Sequence, residues 1–209
     1  MPDFSEGFRA ELATLLRWRR DVRAFLDDPV DEALLSECLA TFHEAPSVGL
    51  SEPWRVVRVE SAPARAAALA NFRDQNAAAL ADHAGGRAAD YARLKLSGMA
   101  EAPCHLALFC DEETGQGHGL GARTMPEMRR YSVVAAITQF WIVARSRGLG
   151  VGWVSILDPE RLRRDLDLPA AWSLVAYLCI GWPAEEAGSP ELERAGWETR
   201  RPDLAMVVR

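Results

Sequence analysis

The sequence predicts one domain in which helices and strands share a single core, and three observations lead there. The chain has 209 residues, 49% of them hydrophobic, which suits one core of ordinary domain size. Apolar residues recur at helical spacing in several stretches. Between those stretches lie short runs with the alternation or unbroken apolarity of strands. No internal repeat and no low-complexity segment interrupts the pattern.

Phe8, Leu12, Leu15 and Leu16 share a helical face and predict a first helix running to Trp18. Asp31 is placed to cap a second helix, whose Leu34, Leu35, Cys38, Leu39 and Phe42 form one face. Arg55 to Glu60 alternates apolar and charged residues and predicts a strand. An Ala-rich helix from about Pro63 to Ala84 and another from about Arg87 to Glu101 follow, split by Gly85-Gly86. Cys104 to Cys110 predicts a short strand. Asp111 to Arg123 is a loop whose GQGHGLG never gives GxGxxG and does not open directly into a helix, so it reads as a flexible surface or lid loop rather than a nucleotide cradle.

Thr124 with Glu127 fits a capping box for a helix from Pro126 to Arg147. From Tyr131 to Ala144 that helix is apolar on nearly every face. It should be buried all round, either in the core or at a dimer interface. Val151 to Leu157, Pro159 to Leu166 and Trp172 to Gly181 then read as strand, short helix and long strand. Beyond Ala184 the chain turns polar, and either wanders or wraps a partner.

Charge and composition narrow the function. A net charge of −6 with no long basic block argues against nucleic acid and anionic membrane as partners. The longest apolar stretch, Tyr131 to Ala144, falls short of the roughly 18 residues a membrane span needs. Met1-Pro2-Asp3 leads straight into a polar helix, so a cytoplasmic location is expected. Cys38, Cys104, Cys110 and Cys179 form no CxxC pair and read as buried packing. The histidines show no ligand spacing, so no metal is expected.

Three guanidinium groups stand within Arg19-Arg20-Asp21-Val22-Arg23, just past a helix end. Such a cluster is either a basic helix terminus favoured by the macrodipole or a phosphate clamp, for which the planar, permanently charged guanidinium is suited. Asp21 among the arginines should stay ionised and anchored, able to position a substrate or move a proton. The loop Ala45 to Trp54 offers the Ser47 hydroxyl and backbone N–H groups. Ser155 sets a hydroxyl in an otherwise apolar strand, where it either bonds its own backbone or faces a ligand.

RRDVR at Arg19–Arg23, APSVGLSEPWR at Ala45–Arg55, the long Thr124–Ile156 stretch with its GVGWVS, and ELERAGW at Glu191–Trp197 occur in this order. Together they resemble the 5,6-dimethylbenzimidazole synthase branch of the nitroreductase-like flavoprotein superfamily, from Trp18 to about Arg201. RRxxR and the APS loop alone would indicate only the superfamily; Asp21 together with GVGWVS is more specific. The resemblance implies an α+β fold with a mixed central sheet packed with helices, as one flavin mononucleotide (FMN)-binding domain over residues 1–209. It also implies a homodimer with exchanged terminal segments.

By motif, FMN would be held by Arg19, Arg20, Asp21, Val22 and Arg23, with Ser47, Leu96 over the flavin, Ser155, and Arg200 from either subunit. Asp21 and Ser155 would be catalytic. The implied reaction is the fragmentation of reduced FMN by dioxygen to 5,6-dimethylbenzimidazole, the lower ligand of cobalamin, and erythrose 4-phosphate. A separate NAD(P)H flavin reductase would supply the electrons. Glu52 stands where the family's loop would carry Gln. The competing expectations are an NAD(P)H-dependent oxidoreductase that recycles its FMN, and a flavin-storage protein without turnover.

Overall fold

A computed structural model describes residues 3–83 and 86–209. Four strands, β1 (Trp54–Arg58), β2 (Cys104–Asp111), β3 (Gly150–Val154) and β4 (Trp172–Gly181), form one sheet in the order β1-β2-β4-β3. Every pair in it is antiparallel. The mixed sheet expected from the resemblance is therefore corrected. The parallel pairing among the described residues is an isolated bridge between Asp21 and Val151, outside the strands.

Seven helices among the described residues pack around this sheet: α1 (Glu6–Trp18), α2 (Glu32–Ala40), α3 (Ala62–Asp82), α4 (Gly86–Arg93), α5 (Met128–Ser146), α6 (Pro159–Asp165) and α7 (Glu191–Arg194). Local chemistry sets the starts of several. The side chains of Ser5, Asp31, Ser61 and Asp158 accept from the N–H groups of Phe8, Leu34, Ala64 and Arg161, the bonds expected of N-caps. None of these helices is long and apolar enough to cross a membrane.

The two sheet faces carry two cores. Leu106, Leu108, Val151, Leu178 and Ile180 point toward α2 and α5, whereas Ala107, Phe109, Tyr177 and Cys179 point toward Phe25, α3 and α6. This is the alternation a sheet covered on both sides requires. All four cysteines are free thiols in these cores, and burial pushes Cys104 up to about 11. His105 is buried on β2, where its Nδ1 lies 2.8 Å from the Tyr177 hydroxyl and its Nε2 lies 3.1 Å from the Ala102 carbonyl. Desolvation lowers its pKa to about 4.

Three expectations change. The second of the two middle helices ends at Arg93 rather than near Glu101, because the Lys95 carbonyl is taken by the Arg23 guanidinium at 3.0 Å and Gly98 lies under the Phe25 ring. The split between the two helices falls partly on residues 84 and 85, which lie outside the described residues. The capping box before α5 does not form, since Thr124 donates to the Gly121 carbonyl and the helix begins at Met128.

Within the single chain, α5 is buried along one side. Val133, Ala136, Ile137, Phe140 and Ala144 face the core, while Tyr131 and Val134 lie open to solvent. α1 likewise buries no residue completely and leaves Phe8, Leu12 and Leu16 exposed. Leu204, Met206, Val207 and Val208 in the last segment are exposed too. Together these side chains leave more apolar surface open than single scattered residues would.

Candidate active site

The arginine motif leaves α1 in an extended conformation and lies along the outer edge of β3. The Val22 N–H donates to the Val151 carbonyl at 3.1 Å, and the Leu26 N–H to that of Trp182 at 2.9 Å. Two glycines make this approach possible. A Cβ on Gly152 would stand 2.1 Å from the Val22 carbonyl oxygen, and one on Gly150 would stand 2.9 Å from the Val22 side chain. The alternating glycines of GVGWVS thus carve a seat for RRDVR, which is the use expected of glycine inside a strand.

That seat fixes Asp21. Its Oδ1 accepts from the Trp153 N–H at 2.8 Å, and its Oδ2 accepts from Arg23 Nε at 3.0 Å. The carboxylate side chain keeps 34% of its surface exposed, so it is anchored yet reachable. Arg23 also donates to the Lys95 carbonyl, which ties the segment after α4 to the carboxylate.

Arg19, Arg20, Asp21 and Arg23 line a cavity of about 210 Å³ together with Leu192 and Arg200. Its charge is unbalanced. Arg20 donates to the carbonyls of Arg17, Arg19 and Gly188, yet its buried Nε has no partner. Burial, then the neighbouring Arg200 and Arg19, hold the Arg20 pKa below its usual value. Arg19 rests its guanidinium 4.6 Å from the centroid of the Trp141 ring, which neighbours Trp153. Crowded cations with a free buried donor are suited to an anionic group, and a phosphate monoester meets both needs.

The remaining expected residues stand apart from this cavity. Ser47 is half-buried and accepts from the Glu52 N–H at 3.2 Å. Leu96 packs against the core cluster around Phe25. Ser155 is exposed and lies just past β3, which ends at Val154 rather than Leu157. The strand stops there because buried Asn71 binds both the N–H and the carbonyl of Asp158 and draws the chain off the sheet into α6. Ser155 is two residues from the N–H that holds Asp21, so both hydroxyl and carboxylate belong to one strand end.

The Gly-rich loop is not free-standing. Gly117 packs backbone to backbone on Gly49, where an added Cβ would meet the Gly49 oxygen at 2.5 Å. Gln116 donates to the Leu50 carbonyl at 2.8 Å. Its glycines serve close docking on the APS loop, in which Gly49, Leu50 and Glu52 all have positive φ.

Some features were missed from the sequence. The tail beyond Ala184 wraps its own chain: Ala184 N–H donates to the Ala24 carbonyl, and Arg145 of α5 pairs with Glu186. Arg200 therefore reaches the cavity from the same chain. Nothing local in the sequence marks Trp141 as the bed for Arg19.

The fold and site define a class. The sequence pattern of the Nitroreductase family matches residues 16–182. A computed superposition on the crystal structure of oxidized iodotyrosine deiodinase bound to FMN and 3-iodo-L-tyrosine covers 95% of this chain and 97% of that one, with a TM-score of 0.71 and 21% identity. Among curated proteins, the chain is 57% identical over 201 residues to 5,6-dimethylbenzimidazole synthase of Rhodospirillum rubrum, covering 96% of this chain and 95% of that one. It is 46% identical over 200 residues to the synthase of Rhodobacter capsulatus, covering 96% and 97%. The chain belongs to the nitroreductase family, in its 5,6-dimethylbenzimidazole synthase branch.

Proposed function

We propose that this protein is an oxygen-dependent enzyme that fragments reduced FMN, giving 5,6-dimethylbenzimidazole and erythrose 4-phosphate. The observation that carries the reading is the Asp21 carboxylate, pinned to the Trp153 N–H in the wall of a cation-rich cavity. A flavin-recycling relative needs the cations; the anchored carboxylate beside them is the additional group that a fragmentation requires.

FMN, when bound, supplies both the dioxygen-reactive reduced ring and the carbon atoms of the product. Arg19, Arg20 and Arg200 hold the phosphate, with the free Nε of Arg20 available as a donor. Arg23 and the Val22 backbone keep the motif seated, Ser47 donates from the APS loop, and Leu96 covers the ring. Asp21 accepts and returns a proton at the ribityl carbon that is excised. A positioned acid–base group of this kind contributes on the order of 10²–10⁴ in rate. Ser155, freed from the strand ladder, hydrogen-bonds at the reactive edge of the ring.

The site is completed by a second copy. The open faces of α1 and α5 and the apolar tail from Leu204 to Val208 are the surfaces that would meet in a homodimer with exchanged terminal segments. The whole chain acts as one FMN-binding domain in the cytoplasm, with a separate NAD(P)H flavin reductase as electron source.

Pre-reduced FMN mixed with the protein and air, followed by mass spectrometry, tests the reading. Dimethylbenzimidazole is expected, with little direct oxidation of NAD(P)H; recovery of intact FMN would overturn it. Asp21→Asn should keep FMN binding and lower product about a hundredfold or more, and Ser155→Gly should lower product by a smaller factor. Near-normal product from both removes the assigned roles.

A further inference from the structure

Near Arg200, the tail carries one aromatic side chain that is lodged against other elements of the chain, Trp197. Helix α7 ends in paired bonds from the Trp197 N–H to the Leu192 carbonyl and from the Gly196 N–H to the Glu193 carbonyl, with Gly196 at φ +71°. This left-handed glycine cap reverses the chain, and Trp197 is not among the residues that line the cavity. The indole enters a cage at the junction of α3 and α4. Its ring lies 5.8 Å from that of His83 and 6.1 Å from that of Tyr91, and the Arg87 guanidinium stands 5.3 Å from it. Tyr91 is itself fixed by donating to Asn76 at 2.9 Å.

Three residues beyond Trp197, Arg200 lines the cation-rich cavity. Its N–H donates to Glu193 at 2.9 Å, but its guanidinium is loosely paired with the same carboxylate at 3.9 Å and is 71% exposed. Glu193 alone is a weak tether for a side chain so open to water. The aromatic cage is the stronger anchor, because edge-to-face rings and a cation over an indole each add to the area they bury.

We propose that Trp197 is a positioning residue: lodged between α3 and α4, it holds Arg200 at the anion cavity and links the state of that cavity to α4. A phosphate drawn to Arg200 tightens the tail, and the tail in turn presses the cage on α4. Removal of the phosphate slackens both. This rests on the proposed role of Arg200 in binding the FMN phosphate, and it adds a residue that touches no part of the flavin.

Titration with FMN and with riboflavin, which lacks the phosphate, separates the possibilities. Trp197→Ala should weaken FMN about tenfold, the loss of one charge-assisted bond, and leave riboflavin unchanged. Arg200→Ala should do the same, the double variant should be no weaker than either single one, and Trp197→Phe should restore most of the affinity. FMN should also slow tryptic cleavage after Arg93 in the parent chain and not in Trp197→Ala.

Wild-type FMN affinity in Trp197→Ala, equal weakening of FMN and riboflavin, or additive losses in the double variant would each sink the proposal, and equal FMN protection at Arg93 would sever the link to α4. If Arg200→Ala itself binds FMN normally, the phosphate role of Arg200 falls first and the proposal falls with it.

Discussion

The two edges of the sheet have opposite treatments. Along β3 the chain covers its own edge: residues 21 and 22 run beside Val151, seated by two glycines, and the candidate catalytic carboxylate borrows a strand N–H. Along β1 no strand among the described residues covers the outer edge, and Val56 is exposed on it. An edge closed by the chain itself becomes a rigid site. An edge left bare is available for pairing with another chain.

Acid stability supplies the common baseline, since His105 stands on β2 between the two edges. Its folded pKa is about 4 against an ordinary value of 6.5. The unfolded chain therefore binds the proton first as pH falls. The stabilisation is complete above about pH 6.5 and is lost progressively toward pH 4, by up to about 3 kcal/mol. Denaturant melts at pH 7 and pH 4.5 should show this loss, and His105→Phe should flatten it. A pH dependence unchanged in that variant would assign the acid sensitivity elsewhere.

Gly152→Ala attacks the closed edge alone. The new methyl must displace the Val22 carbonyl, at a cost of about 2 kcal/mol, and Asp21 moves with it. FMN affinity should fall along with thermal stability, whereas the same change at exposed Gly188, where nothing lies within 4 Å, should alter neither. Equal behaviour of the two variants would mean that the seat is not what positions the motif.

Deleting residues 202–209 attacks assembly instead. Thermal stability should change least here, because the tail is exposed throughout, but sedimentation should report a shift from dimer toward monomer. A truncated chain that remains dimeric would free the tail from any role in exchange.

Much of this architecture is legible in the order of the residues. The helix cap at Asp31, the short helix from Pro159, the strand at Trp172–Gly181 and the end of α1 at Trp18 follow from local propensity and periodicity. What could not be read locally depends on contacts distant in sequence. β3 stops at Val154 because of Asn71, the helix before Leu94 stops because of Arg23, and the paired glycines serve a neighbour about 130 residues away. The mixed sheet was expected from kinship, and the chain's own pairing is antiparallel. In the site, the arginine cluster was legible as either a helix terminus or a phosphate clamp, and Arg200 entered only through the family resemblance. The bed under Arg19 required knowing which face of α5 meets it.

Under the proposed homodimer, that bed ties catalysis to protein concentration. Trp141 carries Arg19 and sits on the helix that also presents Tyr131 and Val134 to solvent. A second copy covering that helix would stiffen the proposed phosphate ligand Arg19 beneath it, so turnover per subunit should decline when the enzyme is diluted below its self-association constant and recover when it is concentrated again. A specific activity flat across such a dilution series would uncouple assembly from the flavin.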